Sequence, residues 1–255
     1  MIRNRVWMIC FILFACARDA PLPDMQPGET GRVTKVIDGD GLILDTGQRV
    51  RLISIVAPVL SPPEGAPEPH SGESARLLED MTLGRRVQLF YPGLTRDRYD
   101  RALAHVVTID SAGPRLWLNH ELVARGAARV RLFASTAARG QDLLEAEQTA
   151  RDEALGVWAL SEYAPRAVSS FDVGNRGFKM VTATLGDMAP RLEDDRFAPG
   201  CRRRLQDSQI TLRVDRDAMS VCGMASGTQV ELRGWLADGE IRLQHPLHVT
   251  LQRGP

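Results

Sequence analysis

The stretch Arg32-Val33-Thr34-Lys35-Val36-Ile37-Asp38-Gly39-Asp40-Gly41-Leu42-Ile43-Leu44 is followed after a short gap by Arg49-Val50-Arg51-Leu52-Ile53-Ser54-Ile55. Its β-branched and aliphatic runs predict strands, and the Asp-Gly-Asp-Gly segment between the first two has the composition of a tight turn. Gly47 predicts a second turn, so the segment is interpreted as a three-stranded meander. Asp38 and Asp40 stand on the shoulder of this hairpin, with Arg51 on the next strand. Two carboxylates beside an arginine suit a phosphate or metal site, although the same acids also suit a loop that only turns the chain.

The composition is that of an ordinary soluble protein without a global charge. The chain has 255 residues, enough for one large domain or two small domains with their own cores. It is 44% hydrophobic and 25% charged, and its 32 basic and 32 acidic residues give a formal net charge of zero. Because no basic field covers the molecule, any nucleic-acid binding must come from a local patch. This argues against a protein that coats DNA without sequence preference.

The N-terminus predicts export rather than folded structure. Arg3 and Arg5 precede an apolar run over residues 6–15, which is typical of a signal peptide and too short to span a bilayer comfortably. The run ends at Cys16 in a sequence that resembles a bacterial lipobox, which predicts a signal peptide over residues 1–16 and a lipid anchor on the cysteine. The expected location is the periplasmic side of the cell envelope. Phe14 is unusual at its lipobox position, so simple secretion is the alternative.

The cysteines agree with an oxidising compartment. Cys10 falls within the signal peptide and Cys16 would carry the lipid, which leaves Cys201 and Cys222. An even pair in an exported chain predicts a disulfide, and two buried thiols are the alternative.

The rest of the chain divides by composition into a tether and two folded parts. Proline-rich residues 17–30 predict an extended tether, and four prolines over residues 61–69 predict a surface loop. Helices are predicted over residues 72–83, 119–124 and 141–155, with Asn119 as the N-cap of the second. A linker is predicted over residues 163–170. It leads into a β-rich segment that continues to residue 255.

Six pieces of sequence, in order, resemble the staphylococcal nuclease (thermonuclease-like) family over about residues 31–160. They are Val36-Ile37-Asp38-Gly39-Asp40-Gly41, Val50-Arg51-Leu52-Ile53-Ser54-Ile55-Val56-Ala57-Pro58, Gly72-Glu73-Ser74-Ala75, Arg96-Asp97-Arg98-Tyr99-Asp100-Arg101-Ala102-Leu103-Ala104-His105, Trp117-Leu118-Asn119-His120-Glu121-Leu122-Val123 and residues 147–158. The resemblance implies an α+β fold over residues 31–162, an OB-fold barrel of five strands with three helices. Val230-Glu231-Leu232-Arg233-Gly234-Trp235-Leu236 and Ile241-Arg242-Leu243-Gln244-His245-Pro246 are similar to a small OB-like module that follows some bacterial members. Residues 163–255 are therefore expected to form a second, all-β domain.

The resemblance also implies roles for individual residues. Family members hold one Ca2+ with two aspartates and a backbone carbonyl, orient or deprotonate water with a glutamate, and grip phosphate with two arginines. Asp40 matches the first metal aspartate, Arg51 and Arg101 match the catalytic, phosphate-binding arginines, and Tyr99 matches a tyrosine that lines the phosphate pocket. Asp38 matches the acidic residue two positions before the metal aspartate.

Two of the family's acids are replaced by valines. Val56 stands where the second metal aspartate is expected and Val59 stands where the glutamate is expected. Ca2+ prefers six to eight oxygen ligands, so Asp40 with a backbone carbonyl and water predicts a weak site at best. Losing a general base alone costs about 10^2 to 10^4-fold in rate. The first hypothesis is therefore a module that binds phosphate or single-stranded nucleic acid without cleaving it and needs no cofactor.

Two alternatives remain open at this stage. Glu64, Glu68 or Glu73 lies close enough in sequence to replace the missing carboxylate, which would give an active Ca2+-dependent nuclease. The second alternative is a structural module at the envelope, with the barrels as protein-docking surfaces. The basic cluster Arg202-Arg203-Arg204 is interpreted as a solvated face or, less strongly, as a nucleic-acid contact. The five histidines show no metal-ligand spacing, and the oligomeric state is not determined by the sequence.

Overall fold

A computed structural model of the chain describes residues 22–190 and 200–252. The expected signal peptide, Cys16 and the first part of the predicted tether lie outside these residues. In the part of the chain that is described, no helix has both the length and the apolar character needed to cross a membrane.

The first domain is a closed β-barrel that contains the meander. Its strands are β1 (Gln26–Asp38), β2 (Gly41–Leu44), β3 (Arg49–Leu52), β5 (Arg86–Tyr91) and β6 (Ala102–Thr108). They close in the order β1-β2-β3-β6-β5, and only the β3–β6 pair is parallel. This is the order of an OB-fold, and the fold expected from the resemblance is confirmed. A short pair, β4 (Ile55–Val56) with β7 (Arg129–Val130), lies beside the barrel.

Three helices cover the barrel, as the sequence predicts. They are α1 (Ser71–Thr82), α2 (Leu118–Ala124) and α3 (Gly140–Asp152). Leu78, Leu122 and Leu143 are buried on their inner faces and join the same apolar core as the barrel strands. The apolar residues of each helix thus recur at helical spacing and form one stripe that faces the core.

The second domain repeats the same strand order. Its barrel strands are β9 (Gly177–Met188), β10 (Gly200–Leu205), β11 (Thr211–Asp215), β12 (Gln229–Ala237) and β13 (Glu240–Leu243). They pair as β9-β10-β11-β13-β12, and β12 pairs again with β9 to close the sheet. Only β11–β13 is parallel within this barrel, which matches β3–β6 of the first domain. The predicted all-β OB-like domain is confirmed. Two short strands, β8 (Arg166–Ala167) and β14 (Val249–Leu251), extend the sheet.

Both segments interpreted as connectors contain packed residues. β1 begins at Gln26, within the predicted tether, and Leu22 and Met25 are buried beside Phe90 and Val107. Tyr163 of the predicted linker is buried, and its hydroxyl donates to the Pro69 carbonyl at 2.7 Å. Proline content indicated extended chain in the first case but gave no information on what that chain packs against.

The basic cluster of residues 202–204 is a barrel strand rather than a continuous solvated face. Alternation along β10 exposes Arg204 and buries Arg203, whose guanidinium donates to the Gly186 and Val221 carbonyls at 2.8 and 3.1 Å. Arg202 forms an ion pair with Glu240. The interpretation as a solvated face is therefore wrong for Arg203. The disulfide expected between Cys201 and Cys222 is present and ties β10 to the segment after β11.

Ion pairs join the two barrels. Arg233 of β12 forms a salt bridge with Glu147 of α3 at 2.6 Å, and both side chains are almost fully buried. Arg151 donates through both terminal nitrogens to the two carboxylate oxygens of Glu231, each at 2.8 Å. The Nε2 of His248 lies 3.2 Å from the Leu132 carbonyl. The second barrel is therefore packed against the first rather than tethered to it.

Candidate functional site

The turn between β1 and β2 buries one carboxylate. Asp40 is 1% exposed, one of its oxygens pairs with the Arg51 guanidinium, and the other accepts the Ala57 N–H at 2.8 Å. Neither Gly39 nor Gly41 has a positive φ, so the turn does not use glycine for its backbone freedom. A Cβ at Gly39 would instead lie 2.6 Å from the Ala57 Cβ. Close packing of the turn, which the sequence did not predict, explains the glycine.

The protonation of Asp40 reflects opposing influences. Burial raises the pKa of Asp40 to about 7, and the neighbouring charge of Asp38 acts in the same direction. The Arg51 guanidinium and the Ala57 N–H favour the carboxylate and oppose this rise. Both oxygens of Asp40 are thus already engaged by donors of the chain itself, and its charge is matched by one arginine.

Val56 and Val59, which stand at the two acid positions, lie on the segment whose Ala57 N–H contacts Asp40, but neither has a side-chain oxygen. Val56 is half-buried on β4, and Val59 is exposed. The Val59 N–H donates to Glu68 Oε2 at 2.8 Å, and the Glu68 N–H donates back to the Val59 carbonyl at 2.9 Å. Among residues 22–190 and 200–252, no group of three histidines, cysteines or acids is close enough together to hold a metal ion.

Beside Asp40 lies a cavity of about 380 Å³ that we call the arginine pocket, defined by Arg51, Arg101 and Arg131. Arg51 lies on β3, and Arg101 immediately precedes the neighbouring strand β6. The parallel pairing of Arg51 with Leu103 brings these two arginines to one edge of the barrel. The fold thus assembles both arginines that the resemblance implied, and it adds a third.

Arg101 is held by a tight loop. Its Nε donates to Asp97 Oδ2 at 2.7 Å, and its backbone N–H donates to Asp97 Oδ1 at 3.0 Å. Partial burial acts to raise the pKa of Asp97, but these hydrogen bonds and the one from the Tyr99 N–H outweigh it and lower the pKa. Tyr99 is exposed, with its ring 5.6 Å from the Arg101 guanidinium carbon, and it does not line the pocket. It packs against Arg101 from outside.

Arg131 was missed at the sequence level. It follows β7, its N–H donates to the Ser54 carbonyl at 2.9 Å, and its guanidinium carbon lies 5.0 Å from the ring centroids of both Phe133 and Trp235. Within the described residues, no carboxylate lies within ion-pair distance of Arg131, whereas Arg51 and Arg101 are each paired with an aspartate. The pocket therefore carries a surplus positive charge.

A signal for Arg131 was present in the sequence. Arg129, Arg131 and Phe133 alternate with Val130 and Leu132, which is the period of an extended segment with one apolar and one basic-aromatic face. Val130 and Leu132 are buried and the other three are not, as that period requires. Burial lowers the pKa of Arg131, and the Arg51 charge adds to the effect.

A serine–histidine pair borders the pocket but is not arranged as a nucleophile and base. Ser54 has a left-handed backbone with φ of 64°, and its hydroxyl donates to the Thr136 carbonyl at 2.6 Å. Trp117 Nε1 donates to His105 Nδ1 at 3.1 Å, so the proton of the neutral ring lies on Nε2, which faces Ser54 at 3.5 Å. Burial lowers the pKa of His105 to about 3. A protonated Nε2 cannot accept the serine proton, so this pair is structural.

Comparison with known proteins agrees with this geometry. The family model described as "Staphylococcal nuclease homologue" matches residues 49–160, which include Arg51, Tyr99 and Arg101. The chain carries a thermonuclease-like domain. A thermonuclease of Staphylococcus intermedius is 28% identical over 134 residues, covering 51% of this chain and 77% of that protein. A thermonuclease of Staphylococcus hyicus is 26% identical over 139 residues, covering 51% of this chain and 76% of that protein.

The matched residues contain β3, β5 and β6 of the first barrel and its three helices, whereas β1 and β2 precede them. The match to the family model ends at residue 160, before the second barrel begins. Arg131 and Phe133 fall within the matched part, but their neighbours Phe178 and Trp235 belong to the second barrel. The domain supports a nuclease-like or nucleic-acid-binding role, and the second barrel adds two rings that contact Arg131 of the pocket.

Proposed function

We propose that the thermonuclease-like domain binds the phosphate of nucleic acid in the arginine pocket and does not cleave it. The observation that supports this most directly is the ion pair of Arg51 with Asp40. In this arrangement the Arg51 guanidinium binds the Asp40 carboxylate, which the resemblance implies as a metal ligand. The positive charge that faces the pocket then comes from side chains alone.

The donor set around Asp40 does not fit Ca2+. This ion prefers six to eight oxygens, several of them charged. Asp40 offers one carboxylate whose oxygens already accept from Arg51 and Ala57, and Val56 and Val59 offer no side-chain oxygen. Asp97, the acid that lines the pocket, is engaged by Arg101, and three guanidiniums lie in the pocket to bind an anion.

Direct binding measurements test this proposal. The mature chain should bind a labelled single-stranded oligonucleotide, measured by fluorescence anisotropy, and release no products after prolonged incubation with Ca2+. Arg101→Ala and Arg51→Ala should each weaken binding by about tenfold or more, because each removes charge-assisted hydrogen bonds to phosphate. Arg76→Ala is the control, since Arg76 is an exposed arginine on α1, outside the pocket. Unchanged binding in both pocket variants would refute the proposal.

The alternative of an active nuclease has one observation in its favour. The Glu68 carboxylate is hydrogen-bonded to the Val59 N–H, so an acid does lie next to the position where the resemblance implies one. If the same incubation gives Ca2+-dependent cleavage that is lost in Glu68→Gln, the substitute-carboxylate mechanism holds and the binding-only proposal is wrong.

We also propose that the chain is a lipid-anchored envelope protein. This rests on Arg3, Arg5, the apolar run and Cys16, and the Cys201–Cys222 disulfide is compatible with an oxidising compartment. Mass spectrometry of the N-terminal peptide from the native membrane fraction should find a diacylglycerol-modified Cys16. An unmodified N-terminus beginning elsewhere, in a soluble fraction, would contradict this and favour secretion.

A further inference from the structure

Arginines and aromatic rings alternate across the junction of the two barrels. Arg131 lies 5.0 Å from the rings of Phe133 and Trp235 and 5.8 Å from that of Phe178. Arg129 lies 5.5 Å from the ring of Phe178 and 4.8 Å from that of Tyr163. We call this set the arginine–aromatic band, defined as Arg129, Arg131, Phe133, Tyr163, Phe178 and Trp235.

Residues of both domains form the arginine–aromatic band. Arg129, Arg131 and Phe133 come from the alternating segment at β7, whereas Phe178 and Trp235 face each other as cross-strand neighbours on β9 and β12. Phe133 is 43% exposed and Trp235 is 49% exposed, so large ring surfaces remain open to solvent. Aromatic residues make up only 5% of the chain, yet four of them lie together at this junction.

The band connects two cavities. Arg131 and Phe133 line the arginine pocket at one end. Arg129, Tyr163 and Phe178 line a second cavity of about 220 Å³ at the other end. The second cavity also contains Phe171, whose ring lies 5.0 Å from the Arg166 guanidinium carbon and 5.8 Å from Lys179 Nζ. The alternation of cations and rings thus continues beyond the junction.

The charge along the band is not neutralised by ion pairs. Arg129 and Arg131 form no salt bridge within residues 22–190 and 200–252, and the Nε of Arg129 is buried without a hydrogen-bond partner. Glu68 and Glu162 line the second cavity and lower its net charge, so the cationic surplus is greatest between Arg129 and the arginine pocket.

This chemistry fits a strand with unpaired bases. Non-specific single-strand binding combines a basic groove that follows the backbone with aromatic faces on which successive bases stack. A duplex hides its base faces, and a polyanion without bases gains nothing from the rings. We propose that single-stranded nucleic acid runs from the arginine pocket along the arginine–aromatic band, so that the second barrel extends the binding site. The proposal rests on the phosphate-binding function proposed above and adds the path of the strand across the second barrel.

The experiment measures the affinity of the full mature chain for three probes: a single-stranded dT12, a dT2 dinucleotide and an inorganic polyphosphate with a charge comparable to that of dT12. Trp235→Ala and Phe133→Ala should each weaken dT12 binding by about five- to a hundredfold, since each removes one stacking face. Trp235→Ala should leave polyphosphate and dT2 binding within about twofold, because Trp235 does not line the arginine pocket. A duplex of the same length should bind more weakly than dT12.

Controls separate this inference from the function on which it rests. Met219→Ala and Leu251→Ala remove exposed apolar side chains of the second domain outside the band, and both should bind dT12 as the unchanged chain does. If Arg101→Ala weakens dT12 but Trp235→Ala and Phe133→Ala do not, the pocket binds phosphate and the band is refuted. If polyphosphate binds as tightly as dT12 and loses as much in the ring variants, base stacking is refuted. If Arg51→Ala and Arg101→Ala do not change the binding of any probe, the proposed phosphate-binding function itself is refuted.

Discussion

Arg233→Ala is expected to lower the free energy of unfolding by about 3–5 kcal/mol, since removing one partner leaves a buried charge without compensation. Glu147 is 1% exposed, and among the described residues its partners are Arg233, in the 2.6 Å ion pair, and the Val130 N–H, also at 2.6 Å. Arg233 Nη1 donates to the Val130 carbonyl at 3.2 Å, so the same substitution removes a second contact across the junction. Urea unfolding followed by circular dichroism measures the change.

Two control variants show whether the effect comes from the unpaired charge. Arg176→Ala breaks an exposed ion pair with Asp238 and should cost less than about 1 kcal/mol. The double variant Arg233→Met, Glu147→Leu removes both buried charges and should recover most of the loss. If Arg233→Ala is as mild as Arg176→Ala, the barrels do not depend on this pair. If the double variant is as unstable as Arg233→Ala, the defect is lost packing rather than an orphan carboxylate.

The double variant Val56→Asp, Val59→Glu is expected to introduce Ca2+-dependent cleavage of single-stranded DNA, at least about 10^2-fold above the unchanged chain. The two substitutions restore the acids that the resemblance implies: a second charged ligand beside Asp40, and a general base, which is typically worth about 10^2 to 10^4-fold. Val56 is half-buried and Val59 is exposed, so both positions have access to water for a carboxylate. Product formation on gels and Ca2+ titration by calorimetry measure the outcome.

The isosteric variant Val56→Asn, Val59→Gln controls for shape without charge and should gain neither Ca2+ affinity nor cleavage. Adding Asp40→Asn to the acidic double variant should abolish both gains, because the first ligand is then lost. Calcium binding without cleavage would mean that the water position is still wrong. No calcium binding at all would show that the Arg51–Asp40 pair, rather than the two valines, prevents metal entry, which would limit the argument from the valines.

The sequence was sufficient for the architecture of the first domain. Alternating aliphatic residues and Gly-containing turns predicted the meander, and the three helices appear within a few residues of their predicted bounds. These are local properties, because periodicity and turn chemistry depend on neighbours along the chain. The resemblance then supplied the barrel closure, which local patterns cannot give, and the parallel β3–β6 pairing brought Arg51 and Arg101 to one edge as it implied.

Other local interpretations failed where tertiary contacts decided the role of a residue. Asn119 was predicted to cap α2, but that helix begins at Leu118 and the Asn119 side chain is fully buried. Its oxygen accepts the Val106 N–H at 3.0 Å and its nitrogen donates to the Ile53 carbonyl at 2.8 Å. An amide can satisfy either a helix end or two distant backbone groups, and spacing alone does not choose between them.

By itself, the sequence predicted the strand and helix order of the first domain, an all-β second domain and the pairing of Cys201 with Cys222. Only the tertiary structure decided that Arg51 pairs with Asp40 and that Arg131 lines the pocket. It also decided that the ring of Trp235, from the second barrel, lies against the Arg131 guanidinium. The physical reason is distance along the chain. Residues 131 and 235 meet because the buried Arg233–Glu147 pair and its neighbours hold the two barrels together, and no local pattern records that contact.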